Sequence, residues 1–86
     1  MAVKERMAEL MEMPKDIILN YPKMTVLGKK EIGIENIIGI VEFSDKIIRL
    51  NTHTHILKIC GLNLIIKSLN GDGIEISGEI TNILFE

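Results

Sequence analysis

The chain has few of the residues that small proteins use to build reactive sites or to cross-link a fold. Its 86 residues include one cysteine, no tryptophan, one tyrosine and two phenylalanines. A single cysteine excludes an internal disulfide, which in so small a domain favours a reducing, intracellular setting. The scarcity of aromatic rings and a formal net charge of -2 argue against a nucleic-acid binder, because such proteins use basic residues and stacking rings.

Long apolar runs are also absent. No stretch approaches the roughly 18 residues that a transmembrane helix needs. Residues 1–6 carry charges and lack the apolar centre of a signal peptide. We therefore expect a cytoplasmic protein of one domain, with at most peripheral contact to a membrane.

The hydrophobic residues, 47% of the chain, are mostly aliphatic. From residue 23 to the C-terminus they alternate with polar residues and are interrupted by turn signals, of which Asn70-Gly71-Asp72-Gly73 is the strongest. This pattern predicts seven or eight short strands, with Ile38, Ile40 and Glu42 on one face of a strand and Val41 and Phe43 on the other. The intervals are too short for crossover helices, which excludes a parallel α/β sheet.

We expect an all-β fold, a small antiparallel meander that forms a sandwich or an open, barrel-like sheet. A β-solenoid is the alternative, because the segments around Gly61 and Gly78 resemble each other weakly. Gly78 itself is expected to mark a bulge or a bend.

The N-terminal region has a different periodicity. Apolar residues recur at helical spacing over residues 3–13, and Pro14 ends the pattern. We expect residues 1–22 to form an amphipathic helix with an extended lead-in, and residues 23–86 to form the β-rich domain. The apolar face of the helix packs either on this sheet or on a partner. The candidate partner-binding residues are Val3, Met7, Leu10, Met11, Ile17 and Ile18.

Few residues are candidates for chemistry. His53 and His55 share a face if they lie on a strand, but a metal site needs further ligands, and a polar edge or turn is the simpler interpretation. Cys60 lies among apolar residues, which favours a buried structural thiol over a nucleophile. The acidic residues occupy turns or exposed strand positions, where no pocket tunes them for acid–base work. We predict no catalytic residue, no metal and no cofactor.

Several strands are apolar on both faces, among them the segments that contain Ile37-Ile38, Ile47-Ile48 and Leu64-Ile65-Ile66. Such strands indicate either two packed layers or a face that a partner covers. An open meander also has edge strands that can pair with another chain. The sequence thus favours binding of a protein partner or self-association.

The order of short segments resembles one known family, the YabP/YqfC sporulation proteins of endospore-forming Firmicutes, and within it the YqfC branch. The segments that carry the resemblance are Met13-Pro14-Lys15-Asp16-Ile17-Ile18-Leu19-Asn20-Tyr21-Pro22-Lys23-Met24-Thr25, Ile34-Glu35-Asn36, Gly39-Ile40-Val41-Glu42-Phe43, Leu57-Lys58-Ile59-Cys60-Gly61-Leu62-Asn63-Leu64, Ile66-Lys67-Ser68-Leu69 and Ile76-Ser77-Gly78-Glu79-Ile80. The resemblance covers most of the chain, and residues 51–56 match least. It implies a non-enzymatic protein that is made during spore formation and that accompanies a membrane-anchored partner similar to YqfD. It implies no catalytic or binding residues.

Two functions follow as hypotheses. The first is a protein-interaction module that works with a membrane-anchored sporulation protein. The second is a self-assembling structural β-protein, an oligomer or filament of the developing spore.

Overall fold

The computed structural model describes residues 20–86, which form a six-stranded antiparallel sheet. The strands are β1 (Lys23–Leu27), β2 (Glu31–Glu35), β3 (Ile37–Phe43), β4 (Ile47–Thr52), β5 (Ile56–Asn70) and β6 (Gly73–Phe85). The expected all-β antiparallel fold is confirmed. The expected N-terminal helix lies outside the described residues.

The strands lie in the order β1-β2-β6-β5-β4-β3. Strands β3 to β6 are therefore neighbours in chain order, which confirms the meander for this part. The β1–β2 hairpin departs from it, because β2 pairs with β6. The solenoid alternative is wrong, since every strand pair is antiparallel.

The described residues form six strands, fewer than the seven or eight expected, because two glycines lie inside strands and do not end them. Gly61 lies inside β5 and Gly78 inside β6, so each long strand replaces two expected short ones. The pairing register of β5 with β6 shifts between Cys60 and Gly61. Gly78 adopts a φ of 136°, which side chains rarely tolerate, and confirms the expected irregularity at this position.

The backbones of the two long strands approach each other closely at these glycines. The described fold measures 41 × 24 × 24 Å, which is too thick for one flat layer, so the long strands bend and the sheet folds over on itself. The first half of β5 pairs with β4, and the first half of β6 pairs with β2. Residues from both halves of the sheet share one core. Eight large side chains in this core are less than 2% exposed. The exposed face of a single flat sheet would not bury side chains so completely. These eight are Ile32, Ile34, Ile48, Leu50, Leu57, Ile59, Leu64 and Ile76.

Backbone hydrogen bonds join the β3–β4 turn to β5 near Gly61, and the β1–β2 turn to β6 near Gly78. The N–H groups of Gly61 and Leu64 donate to the carbonyls of Lys46 and Asp45, at 2.9 and 2.8 Å. These bonds fix the β3–β4 turn against the middle of β5. The β1–β2 turn is fixed against β6 in the same way, through the carbonyls at positions 29 and 30.

Candidate interaction surface

Two stretches of β3 and β5 run beside each other without pairing. The N–H of Ile37 donates to the carbonyl of Asp72 at 3.0 Å, and the N–H of Leu64 donates to the carbonyl of Asp45 at 2.8 Å. Residues 37–45 and 64–72 are thus joined at both ends and have equal length. Between these contacts no strand pairing links β3 to β5 among residues 20–86. One opening in the folded sheet therefore has a free strand edge on each side.

The side chains at this opening belong to the core face of the sheet. Residues directly opposite in an antiparallel pair share a face. Ile40 lies opposite buried Leu50, and Phe43 lies opposite buried Ile48. On the other side of the opening, Leu69 lies opposite buried Ile74.

Exposure increases along β3 as the core beneath it ends. Ile37 is 9% exposed, Ile40 is 39% and Phe43 is 53%, although all three face inward. Leu69 is 59% exposed on the facing strand. Ile66, on the same strand and opposite buried Ile76, is half-buried against the core. We call the surface formed by Ile40, Phe43, Ile66 and Leu69 the β3–β5 groove.

The sequence did not predict this groove because two irregularities change the faces of β3. The register shifts between Ile37 and Gly39 and again between Ile40 and Glu42. Glu42 consequently lies opposite Arg49 and not on the face of Ile40, and the expected grouping of these residues is wrong. Strict alternation holds only in a strand without bulges, and bulges have no clear signal in one sequence.

A second opening lies between β1 and β6. Val26 lies opposite buried Ile32, and Phe85 lies opposite buried Leu57, yet both side chains are about half exposed or more. A shallow apolar depression of about 340 Å³ lies at the end of this opening. Its lining consists of Tyr21, Pro22, Met24, Thr54, His55 and Phe85, and together with Val26 these residues form what we call the β1–β6 groove.

The two histidines lie in the turn between β4 and β5, which confirms the simpler interpretation of them. His53 is exposed, whereas the ring of His55 contacts Phe85 edge-on, with centroids 5.0 Å apart. His55 Nδ1 lies 2.7 Å from the hydroxyl of Thr54. Among residues 20–86, no group of three or more His, Cys, Asp or Glu side chains is placed to hold a metal ion.

Cys60 is half-buried on the outer face of β5, next to Ile59 on the core face. The prediction of a buried thiol is therefore wrong, because Cys60 is only partly buried. Cys60 points away from the core because the core-facing positions of this segment are Leu57 and Ile59.

The outer face of the sheet carries the charge pairs. Arg49 Nε donates to Glu86 at 3.0 Å, and Glu42 lies 3.6 Å from the same guanidinium. The hydrogen bond and the charge of Glu86 raise the pKa of Arg49 above its ordinary value. Lys67 donates to Glu31 at 3.1 Å, which raises the pKa of Lys67 in the same manner. These pairs are exposed, so each contributes little to stability.

A wider depression of about 440 Å³ lies on the outer face of β1, β2 and β6. The residues that line it include Gly33, Glu31, Glu35 and Glu75. Glu35 and Glu75 are exposed to solvent. Solvated carboxylates lack the desolvation that acid–base catalysis requires.

The model of the YabP family matches residues 20–86, which are all the residues that the structure describes. The chain belongs to the YabP family. The resemblance seen in the sequence is thereby confirmed.

This YabP-family chain is also similar to the uncharacterized protein YqfC of Bacillus subtilis (strain 168). The two are 31% identical over 78 residues, which span 91% of this chain and 84% of the relative. In the part of the chain that the structure describes, no helix is long and apolar enough to cross a membrane.

Proposed function

We propose that this chain acts in spore formation as a non-enzymatic protein-interaction module. Its partner is a membrane-anchored sporulation protein similar to YqfD, and the chain works in the cytoplasm or at the surface of a membrane of the sporulating cell. Membership of the YabP family and similarity to YqfC support a role in spore formation. The observation that carries the interaction role is the β3–β5 groove, where core-facing apolar side chains are open to solvent between two free strand edges.

An extended segment of the partner fits this groove best. Backbone groups on the free edges of β3 and β5 can bond to an added strand, as in other complexes formed by strand addition. Side chains at every second position of the added strand would point inward and contact Phe43 and Leu69. The partner segment is therefore expected to alternate apolar and polar residues.

Apolar contacts alone do not hold the partner. Burying the exposed half of a large side chain contributes about 1 kcal/mol, so the four groove residues contribute about 4 kcal/mol together. Association costs at least about 4 kcal/mol in lost translational and rotational freedom. Backbone pairing or further contacts must supply the remainder, which favours a strand over an isolated side chain.

The N-terminal residues expected to bind a partner, Val3, Met7, Leu10, Met11, Ile17 and Ile18, lie outside the described residues. Their role in partner binding stays a prediction. Partner binding through the β3–β5 groove does not require them.

The proposal is tested with the purified chain and the YqfD-like protein of the same organism in detergent. Leu69→Ser should weaken binding at least about tenfold, because it removes an inward apolar contact at the groove. Ile65→Ser is the matched control: Ile65 is 56% exposed on the same strand but lies opposite Ser77, on the outer face. Phe43→Ser should behave like Leu69→Ser.

Binding that is lost equally in the Ile65 control would contradict the groove as the binding surface. Absence of binding by the unchanged chain would refute the YqfD-like partner. Light scattering across a concentration series tests the alternative of self-assembly. An oligomer that Leu69→Ser dissociates, while Ile65→Ser does not, would assign the groove to a second copy of this chain.

A further inference from the structure

The chain enters the described fold beside the β1–β6 groove. Asn20 adopts a φ of 57°, the left-handed conformation with which one element commonly ends before the chain turns. Tyr21 and Pro22 follow and already line the groove. The side-chain amide of Asn36 donates to the carbonyl of Tyr21 at 2.9 Å, which fixes this entry point. Asn20, the first described residue, therefore directly precedes two residues that line an apolar depression.

We infer that the β1–β6 groove is covered by this chain's own N-terminal segment, with Ile17 and Ile18 in the depression beside Tyr21 and Phe85. This inference goes beyond the proposed function and concerns the other opening of the sheet. Nineteen residues precede Asn20. Fully extended they reach about 63 Å, farther than the longest dimension of the described fold, 41 Å, so the segment reaches any part of the groove.

Attachment at the rim favours this occupant over others. A segment joined to its site by a short connection has an effective concentration in the millimolar range. A second copy or a separate partner must bind tightly to compete at ordinary protein concentrations. The two isoleucines are separated from Tyr21 by only Leu19 and Asn20, so little chain entropy is lost on docking.

The groove has apolar surface to be covered. Phe85 is 62% exposed although it faces inward, and Val26 is 48% exposed in the same situation. His55 Nε2 is buried and has no hydrogen-bond partner among residues 20–86.

The experiment compares NMR spectra of the full chain and of the variant I17D/I18D. Aspartates cannot occupy an apolar depression, so the ring protons of Tyr21, His55 and Phe85 should shift. Amide hydrogens of β1 should exchange about fivefold faster or more, because the groove beside β1 opens. Ile65→Asp, on the outer face, is the control and should leave these rings and β1 unchanged.

Amide shifts of β4 and of the first half of β5 report whether the fold is retained. If the aspartate variant does not fold, I17A/I18A is used with the same readouts. The inference is overturned if the three rings and the β1 exchange rates match those of the unchanged chain. It is overturned as well if Ile17 and Ile18 contact Tyr21 only between differently labelled copies, since a second copy would then fill the groove. Neither measurement uses the membrane-anchored partner, so either proposal can fail alone.

Discussion

Replacing Gly78 by alanine should destabilise the protein more than replacing a glycine that has open space around it. Gly78 lies where β6 bends, close to the backbone of β5. Its φ of 136° is outside the range that L-residues normally adopt. A β-carbon there would lie 2.7 Å from the carbonyl oxygen of Asn63 and 2.9 Å from the α-carbon of Leu64. Both are backbone atoms of β5, so the contact is relieved only if the two strands separate.

The expected loss has two parts. A residue held in a sparsely populated backbone conformation costs about 1–3 kcal/mol. Forcing an extra carbon against packed backbone costs about 1–3 kcal/mol more. The total of about 2–6 kcal/mol compares with an expected free energy of unfolding of about 4–13 kcal/mol for a chain of this length. The variant should be marginal or unfolded at 37 °C if the free energy of unfolding lies toward the lower end of this range, and clearly destabilised in either case.

Two further variants separate the causes. Gly61 has no positive φ, yet a β-carbon there would lie 2.1 Å from the carbonyl oxygen of Glu79, so Gly61→Ala tests the close approach alone. Gly33 has no atom within 4 Å of an added β-carbon. Alanine at position 33 should be neutral or stabilising by up to about 1 kcal/mol, because glycine weakens a strand interior.

Urea unfolding followed by far-ultraviolet circular dichroism measures the three variants. With a slope of about 1–1.5 kcal/mol per molar for a small protein, a loss of 3 kcal/mol lowers the midpoint by about 2–3 M. If Gly78→Ala and Gly61→Ala unfold at the same urea concentration as Gly33→Ala, the two long strands do not approach each other at these glycines. The folded-over sheet would then be incorrect.

Three more substitutions are tested by the same unfolding measurement. Thr52 is buried, and its hydroxyl donates to the His55 carbonyl at 2.6 Å and accepts the His55 N–H at 3.1 Å. Thr52→Val should cost about 1–3 kcal/mol while Thr52→Ser costs less, since the serine keeps both bonds; equal losses would contradict this. Leu50→Ala should cost about 2–5 kcal/mol because Leu50 is fully buried between the two halves of the sheet, and a loss below 1 kcal/mol would place it outside the core. Arg49→Met should leave the urea midpoint close to that of the unchanged chain, because its ion pairs are exposed; a clearly lower midpoint would show that the pair with Glu86 fixes the end of β6.

Local sequence signals predicted the turns and the faces of the regular strands. The Asn70–Gly73 turn lies where expected, because turn residues act over two to four positions. Ser44 likewise ends β3, and its hydroxyl accepts the N–H of Ile47 at 2.9 Å. Ile48 and Leu50 alternate as predicted and are buried, since β4 has a regular register with β5.

The non-local features could not be predicted in this way. The pairing of β2 with β6 joins residues that are 40 to 46 positions apart, and no local pattern encodes it. Gly78 was expected to mark a bulge or a bend and Gly61 was not, because whether a glycine ends or bends a strand depends on the strand that packs against it. The β3–β5 groove depends on both the bulges of β3 and the bend of β5, so it was beyond sequence reasoning.

The irregular edges of the sheet bear on the choice between a specific partner and self-assembly. β3 has two register shifts, and the second half of β5 also pairs irregularly with β6. Bulged, twisted edges hinder the repeated, flat pairing that filaments need. The regular free edge belongs to β1, which is five residues long, carries Lys23, and borders the groove that we assign to the N-terminal segment. An edge that is apolar but irregular accepts a strand with matching curvature and rejects others, and this selectivity favours one specific partner at the β3–β5 groove over stacking of identical copies.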